Sequence, residues 1–329
     1  MILYNNFIGI DIGKFTFVTS LYGDSLVKEY VNNSSGINAF IKDHKRSLSG
    51  SLSVLETTGG YEMSLLLTLC KKGFKVHRAN TRKVKNFIRS FGDKAKTDSL
   101  DAKALALYGF ERSNKLEVFT PPSPKTFELY ELVARRRDLK DMIVSEKNRH
   151  QAPRSNCIKD SCAIIIKALE EQVVVITDSI NQLIESDNTL KAKKAVIMTV
   201  PGIGNIIANE LLILMPELGS LDRRKIASLG GIAPKANDSG KFRGYRRTGH
   251  GRSIIKPILF LAAMAARNSK TELKVFYENL ITKGKKKMVA LVALMRKILV
   301  IANARLRDLT EQIHVLNQST MCITNLNLH

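Results

Sequence analysis

Cysteine is scarce in this chain, and the few present form no recognisable framework. Cys70, Cys157, Cys162 and Cys322 make no CxxC pair, and no histidine lies at zinc-ligand spacing from them. A zinc ribbon and a disulfide scaffold are thereby excluded, and free thiols in a reducing cytosol are expected. The N-terminus lacks a basic segment followed by an apolar one, so no signal peptide is expected. Long hydrophobic runs are also missing. The most apolar stretch, 258–266, is too short to span a bilayer and meets Arg267, so it reads as a core helix. Acid is short relative to base: 30 Asp and Glu face 52 Lys and Arg, a formal net charge of +22. Such an excess points to a polyanionic partner, because Lys and Arg gain by displacing counterions from phosphates.

What is present is a globular chain. Hydrophobic residues make up 44% of 329, which allows two domains with proper cores. Residues 7–10, 15–21, 27–31, 51–56 and 75–79 read as strands. Segments 37–44, 61–72 and 98–110 read as helices, the last with apolar positions at Leu100, Ala104, Leu107 and Tyr108. That order argues for a mixed sheet covered by helices. Pro121-Pro122-Ser123-Pro124 reads as a linker. From Thr126 to about Asn188 an apolar stripe through Leu129, Leu132, Val133 and Leu139 predicts a helical hairpin or coiled-coil arm, interrupted near Pro153. Beyond Lys191 the pattern is helical, broken by a Gly-rich basic loop at 233–252, and residues after Gln312 read as a tail. The expected domains are 1–120, an arm at 121–190, a third domain at 191–312 and a tail at 313–329.

Four acids fall at suggestive places. Asp11 sits where the first strand turns, Glu56 ends another strand, and Asp98 and Asp101 share one face at the start of a helix. Carboxylates converging at one end of a sheet suit Mg²⁺ or Mn²⁺, and such ions can hold a scissile phosphate. Plainer uses exist for each: Asp11 in the turn's hydrogen bonds, Glu56 as a solvated strand end, Asp98 as an N-cap, Asp101 on the helix dipole. The surroundings favour the chemical use. Between Lys71 and Lys96 there are ten Lys or Arg and one acid, Asp93, and Lys83, Lys85, Arg89 and Lys96 are the expected phosphate contacts.

The loop at 233–252 is the second informative stretch, with Lys241, Arg243, Arg246, Arg247 and Arg252 as candidate backbone contacts. Ser239 precedes Gly240 there. A hydroxyl in that position could attack phosphorus, although a Ser-Gly pair is more often a turn. Val200-Pro201-Gly202-Ile203-Gly204 is similar to the hairpin of helix-hairpin-helix modules, whose backbone N–H groups, here those of Gly202 and Gly204, meet phosphates. A helix start with a nearby proline is the alternative. His77, His150 and His250 show no spacing that suggests catalysis.

Three motifs together resemble the DEDD transposases, the recombinases of the IS110 insertion-sequence family. They are Gly9-Ile10-Asp11-Ile12-Gly13, Leu55-Glu56-Thr57-Thr58-Gly59-Gly60-Tyr61-Glu62 and Lys96-Thr97-Asp98-Ser99-Leu100-Asp101. Asp238-Ser239-Gly240, following Gly231-Ile232-Ala233-Pro234, matches the family's serine-bearing C-terminal part, and the resemblance covers about residues 5–310. It implies an α/β RuvC-like (RNase H-like) N-terminal domain and a mainly helical transposase domain. It also implies four carboxylates on divalent metal and a covalent phosphoserine link to a DNA end. Donor and target DNA, a structured guide RNA in some members, a dimeric or tetrameric synapse and a cytoplasmic, nucleoid-associated setting are further implications. One departure is Ile254-Ile255-Lys256-Pro257, where an Arg-rich helix is expected. Rival readings are a metal-dependent nuclease or junction resolvase using water, an actin-like or sugar kinase prompted by the first motif alone, and a non-catalytic nucleic-acid-binding protein. The kinase reading lacks a later Gly-Gly adenosine loop and does not suit so high a positive charge.

Overall fold

Apolar alternation along the first strands dictates a sheet with two buried faces, and helices cover both. The computed structural model describes residues 4–91, 97–240 and 242–326. It divides into two units, Met1–Pro122 and Ser123–His329.

The first unit runs β1 (Phe7–Ile12), β2 (Thr16–Leu21), β3 (Val27–Val31), α1 (Ser34–Asp43), α2 (Lys45–Leu48), β4 (Leu52–Glu56), α3 (Met63–Lys71), β5 (Lys75–Ala79), α4 (Thr81–Arg89) and α5 (Asp98–Arg112). Its five strands lie in the order β3-β2-β1-β4-β5. The first three are antiparallel neighbours, whereas β4 pairs parallel with both β1 and β5. Because side chains alternate along a strand, β1 feeds two clusters. Ile8, Ile10 and Ile12 join Phe17, Phe40, Leu65 and Leu69 on the side of α1 and α3. Phe7 joins Val54, Val84, Phe87, Leu105 and Tyr108 on the side of α4 and α5. The expected mixed α/β sheet is therefore observed. The helix α4 was not anticipated: only Val84, Phe87 and Ile88 of its nine residues are apolar and packed, and the rest of its surface is polar and basic.

The second unit is mainly helical: α6 (Pro124–Gln151), α7 (Asn156–Glu185), α8 (Asn188–Met198), α9 (Asn205–Leu214), α10 (Arg223–Leu229), α11 (Ile255–Ala266), α12 (Glu272–Thr282) and α13 (Lys287–Leu326). Ser123 caps α6 by accepting from the Thr126 N–H at 3.2 Å, with Pro124 in the first turn where no N–H is needed. Helices α6 and α7 form the hairpin expected around Pro153. Its base is part of the unit's main core, where Leu129, Val133, Ile180 and Ile184 pack with Ile197, Leu211, Ala262 and Leu299. Further out only Leu139, Ile143 and Val173 form a small cluster. A buried ion pair ties the base to α9: Arg136 reaches Glu210 at 2.9 Å and also donates to the Thr177 hydroxyl at 3.0 Å.

Two expectations are refined here, on the basic loop and on the tail. The basic loop is not irregular throughout, since β6 (Pro234–Lys235) pairs with β9 (Arg247–Thr248), and β7 (Asp238–Ser239) with β8 (Phe242–Arg243). Strands of two residues are too short for a hydrophobic alternation to betray them. The segment after Gln312 continues α13 as far as Leu326, in a stretch with neither Gly nor Pro to stop it. Lys256-Pro257 does not disturb α11, because Pro257 falls in its first turn. Cys70, Cys157 and Cys162 are free thiols, and the side chain of Cys322 lies outside the described residues. Among the described residues no helix is long and apolar enough to cross a membrane.

Candidate active site

Asp11 comes within electrostatic reach of Asp98, Asp101 and Glu56 because a helix lies almost directly on a strand. At Gly9 a Cβ would stand 1.9 Å from the Ala102 carbonyl oxygen and 2.3 Å from the Ala106 nitrogen. Only glycine allows that approach of α5 to β1. The contact fixes a register. Asp98 lies one turn N-terminal of Ala102 and Asp101 immediately before it, and two residues beyond Gly9, on the same face of β1, lies Asp11. Parallel pairing of Ile10 with Leu55 then sets Glu56, the last residue of β4, beside Asp11 at the same end of the sheet.

Electrostatics reflects this gathering. The Asp11 carboxyl is pushed up from 3.8 to about 6, first by burial and then by the negative charges of Asp101, Asp98 and Glu56. One backbone hydrogen bond, from Ile12, works the other way. Among the described residues no group of three His, Cys, Asp or Glu is close enough to grip an ion. Carboxylate oxygens are nevertheless the donor type that suits a hard divalent cation.

The loop after Glu56 is held by a residue that the sequence reading left without a role. Glu62 is fully buried. It accepts from the Thr58 N–H at 3.2 Å, the Thr58 hydroxyl at 3.0 Å and the Gly60 N–H at 2.9 Å, and pairs with Arg78 at 2.5 Å. Burial works to raise its carboxyl, but the bonds from Arg78 and the backbone prevail and hold it below the usual glutamate range. Arg78 is therefore not a free cation of the basic flank. Sequence separation hid the pairing, because nothing across a separation of 16 positions announces which base a buried acid will meet.

The other expected contacts are dispersed. Lys83, Lys85 and Arg89 are exposed on α4. Lys96 and Lys241 lie outside the described residues. Ser239, exposed on β7, belongs to the second unit, whereas all four acids belong to the first. Arg243 and Arg247 are exposed on the same ribbons, and Arg246 pairs with Asp238 at 3.0 Å. Arg252 already has partners within the chain. It clasps both carboxylate oxygens of Glu217, at 2.7 and 2.5 Å, and the Leu214 carbonyl at 2.8 Å, which commits its guanidinium to closing the loop. Gly202 and Gly204 lie in the connection between α8 and α9. Gly202 is at φ +91°, where a Cβ would stand 2.3 Å from the Ala262 carbonyl of α11, so this glycine serves close packing. Gly204 is exposed at the start of α9, with open space around it.

Comparison with known proteins adds a consistent result. A transposase model of the DEDD type matches residues 8–152, and one described as "Transposase IS116/IS110/IS902 family" matches residues 194–278. The pilin gene-inverting proteins of Moraxella lacunata and Moraxella bovis are each 27% identical to this chain over 311 residues, covering 92% of it and 96% of their own length. The insertion element IS900 uncharacterized 42 kDa protein of Mycobacterium paratuberculosis is 27% identical over 155 residues, 44% of this chain and 38% of its own.

Proposed function

Since the chain belongs to the IS110 family of DEDD transposases and is a DNA recombinase, we propose that it cuts strands with the Ser239 hydroxyl and a divalent-metal site of Asp11, Glu56, Asp98 and Asp101. The metal half rests on the Gly9 contact, which lets α5 lie close on β1, and on the charges of Asp101, Asp98 and Glu56 that act on Asp11. When bound, Mg²⁺ or Mn²⁺ would neutralise charge developing on the phosphate oxygens. The strand order, with two parallel strands following an antiparallel trio, supports a RuvC-like assignment for the first unit.

The serine half rests on the match of Asp238-Ser239-Gly240 to the family pattern and on the exposure of Ser239 in a basic loop, on a strand paired with the one that carries Arg243. In the proposed step the Ser239 oxygen bonds to phosphorus and the bond to the leaving deoxyribose oxygen breaks. The serine proton goes to solvent or a nearby base, and the leaving oxygen takes up another. Attack by a strand end of the partner DNA then reverses the link and frees the serine. Exposed Lys83, Lys85, Arg89, Arg243 and Arg247 hold backbone phosphates in this reading. A structured guide RNA and an oligomeric synapse, the site shared between protomers, belong to the same proposal and are tested by sequencing co-purifying RNA and by measuring mass in solution.

The deciding experiment is to trap a protein–DNA adduct on denaturing gels. Wild-type protein forms it, Ser239→Ala does not, and Asp11→Asn slows its formation at least a hundredfold, about 3 kcal/mol. Strand cutting by Ser239→Ala at the wild-type rate, with no adduct, would establish water as the nucleophile and remove the serine from the mechanism.

A further inference from the structure

Beside the four acids the molecule exposes an apolar group that its own core does not explain. Phe15 is 73% exposed, Val31 53% and Tyr61 48%. All three emerge at the end of the sheet that carries Asp11 and Glu56. Phe15 is in the turn between β1 and β2, Val31 ends β3, and Tyr61 is in the loop after β4. One residue ties these segments together. Asn32 donates its backbone N–H to the Phe15 carbonyl at 2.7 Å, and its side-chain amide donates to the Gly13 carbonyl at 3.0 Å and the Tyr61 carbonyl at 3.1 Å. The Asn32 side-chain oxygen is buried with no hydrogen-bond partner among the described residues. The Lys14 ammonium stands over the Phe15 ring, 5.0 Å from its centroid.

We propose that Phe15, Val31 and Tyr61, clamped by Asn32, form a platform for an unpaired nucleobase of the DNA strand whose phosphate lies at the acids. This rests on the reading of those acids as the phosphodiester site. Exposed aromatic faces bind bases without regard to sequence, at about 1–3 kcal/mol per base, and a cation beside the ring suits the neighbouring phosphate. A strand held this way has left its duplex stack at the cutting point, so the substrate is locally opened DNA. Net charge favours this occupant over an apolar protein partner, since the flanking Lys14 and a chain of +22 attract a polyanion.

The test uses full-length protein and a fluorescent oligothymidylate about 20 nucleotides long, alone or paired with its complement. The Phe15→Ala/Tyr61→Ala variant binds the single strand about tenfold more weakly and the duplex as before, while Phe15→Tyr binds both like wild type. A 5-iododeoxyuridine probe cross-links to the peptide holding Phe15 or Tyr61. Unchanged single-strand affinity, an equal loss on both probes, cross-links only elsewhere, or a variant that changes solution mass instead would overturn the proposal. Asp11→Asn separates the two claims. If it cuts DNA normally, the metal reading falls and the binding result stands; if it is inactive while the platform variant binds like wild type, only the platform falls.

Discussion

Asp11 carries the sharpest residue-level consequence. Its carboxyl is raised from 3.8 to about 6, so the folded chain holds that proton more tightly than the unfolded chain. The stabilising contribution of the protonated form is full below 3.8 and is lost as pH rises through about 6. The ionised Asp11 therefore weakens the first unit at neutral pH, and a cation bound as proposed would relieve the repulsion. Thermal melts should show a Tm gain from Mg²⁺ or Mn²⁺ that is large near about pH 8 and small near about pH 5. Asp11→Asn should melt higher than wild type without metal at the upper pH and lose most of the metal gain. Equal metal gains at both pH values would contradict this account. At the same scale, the positions of Asp11, Glu56, Asp98 and Asp101 were legible in the sequence, because turns and helix starts have local signals. The Glu62–Arg78 and Arg252–Glu217 pairs were not, because tertiary partners leave no local trace.

At the scale of elements, β1 and α5 behave as one part. A Cβ at position 9 would meet backbone atoms, which cannot rotate away, so α5 has to shift bodily. Gly9→Ala should cost about 3 kcal/mol, at the upper end for overpacking, and should also lower divalent-metal affinity by displacing Asp98 and Asp101. Urea unfolding and metal titration check the two effects; loss of stability with unchanged metal binding would break the link between packing and site. The strands β1 to β5 were readable from alternation and turn residues. By contrast α4 was hidden by its short apolar face, and β6 to β9 by having almost none.

Across the whole molecule, charge sets how DNA is held. If Lys83, Lys85 and Arg89 each contact a phosphate, replacing all three with Ala should flatten the slope of log affinity against log salt by about 2.7. The loss should be the same for any DNA sequence. A slope unchanged within error would move the footprint off α4. The second unit has the opposite character at its arm. Helices of 28 and 30 residues, each over about 40 Å long, leave a broad core at one end and the small cluster of Leu139, Ile143 and Val173 further out. Such a hairpin has a graded local stability. Amides around Gln151 and Asn156 should exchange with deuterium well before those around Leu129 and Ile184, so that the arm opens from its tip inward while its root stays closed.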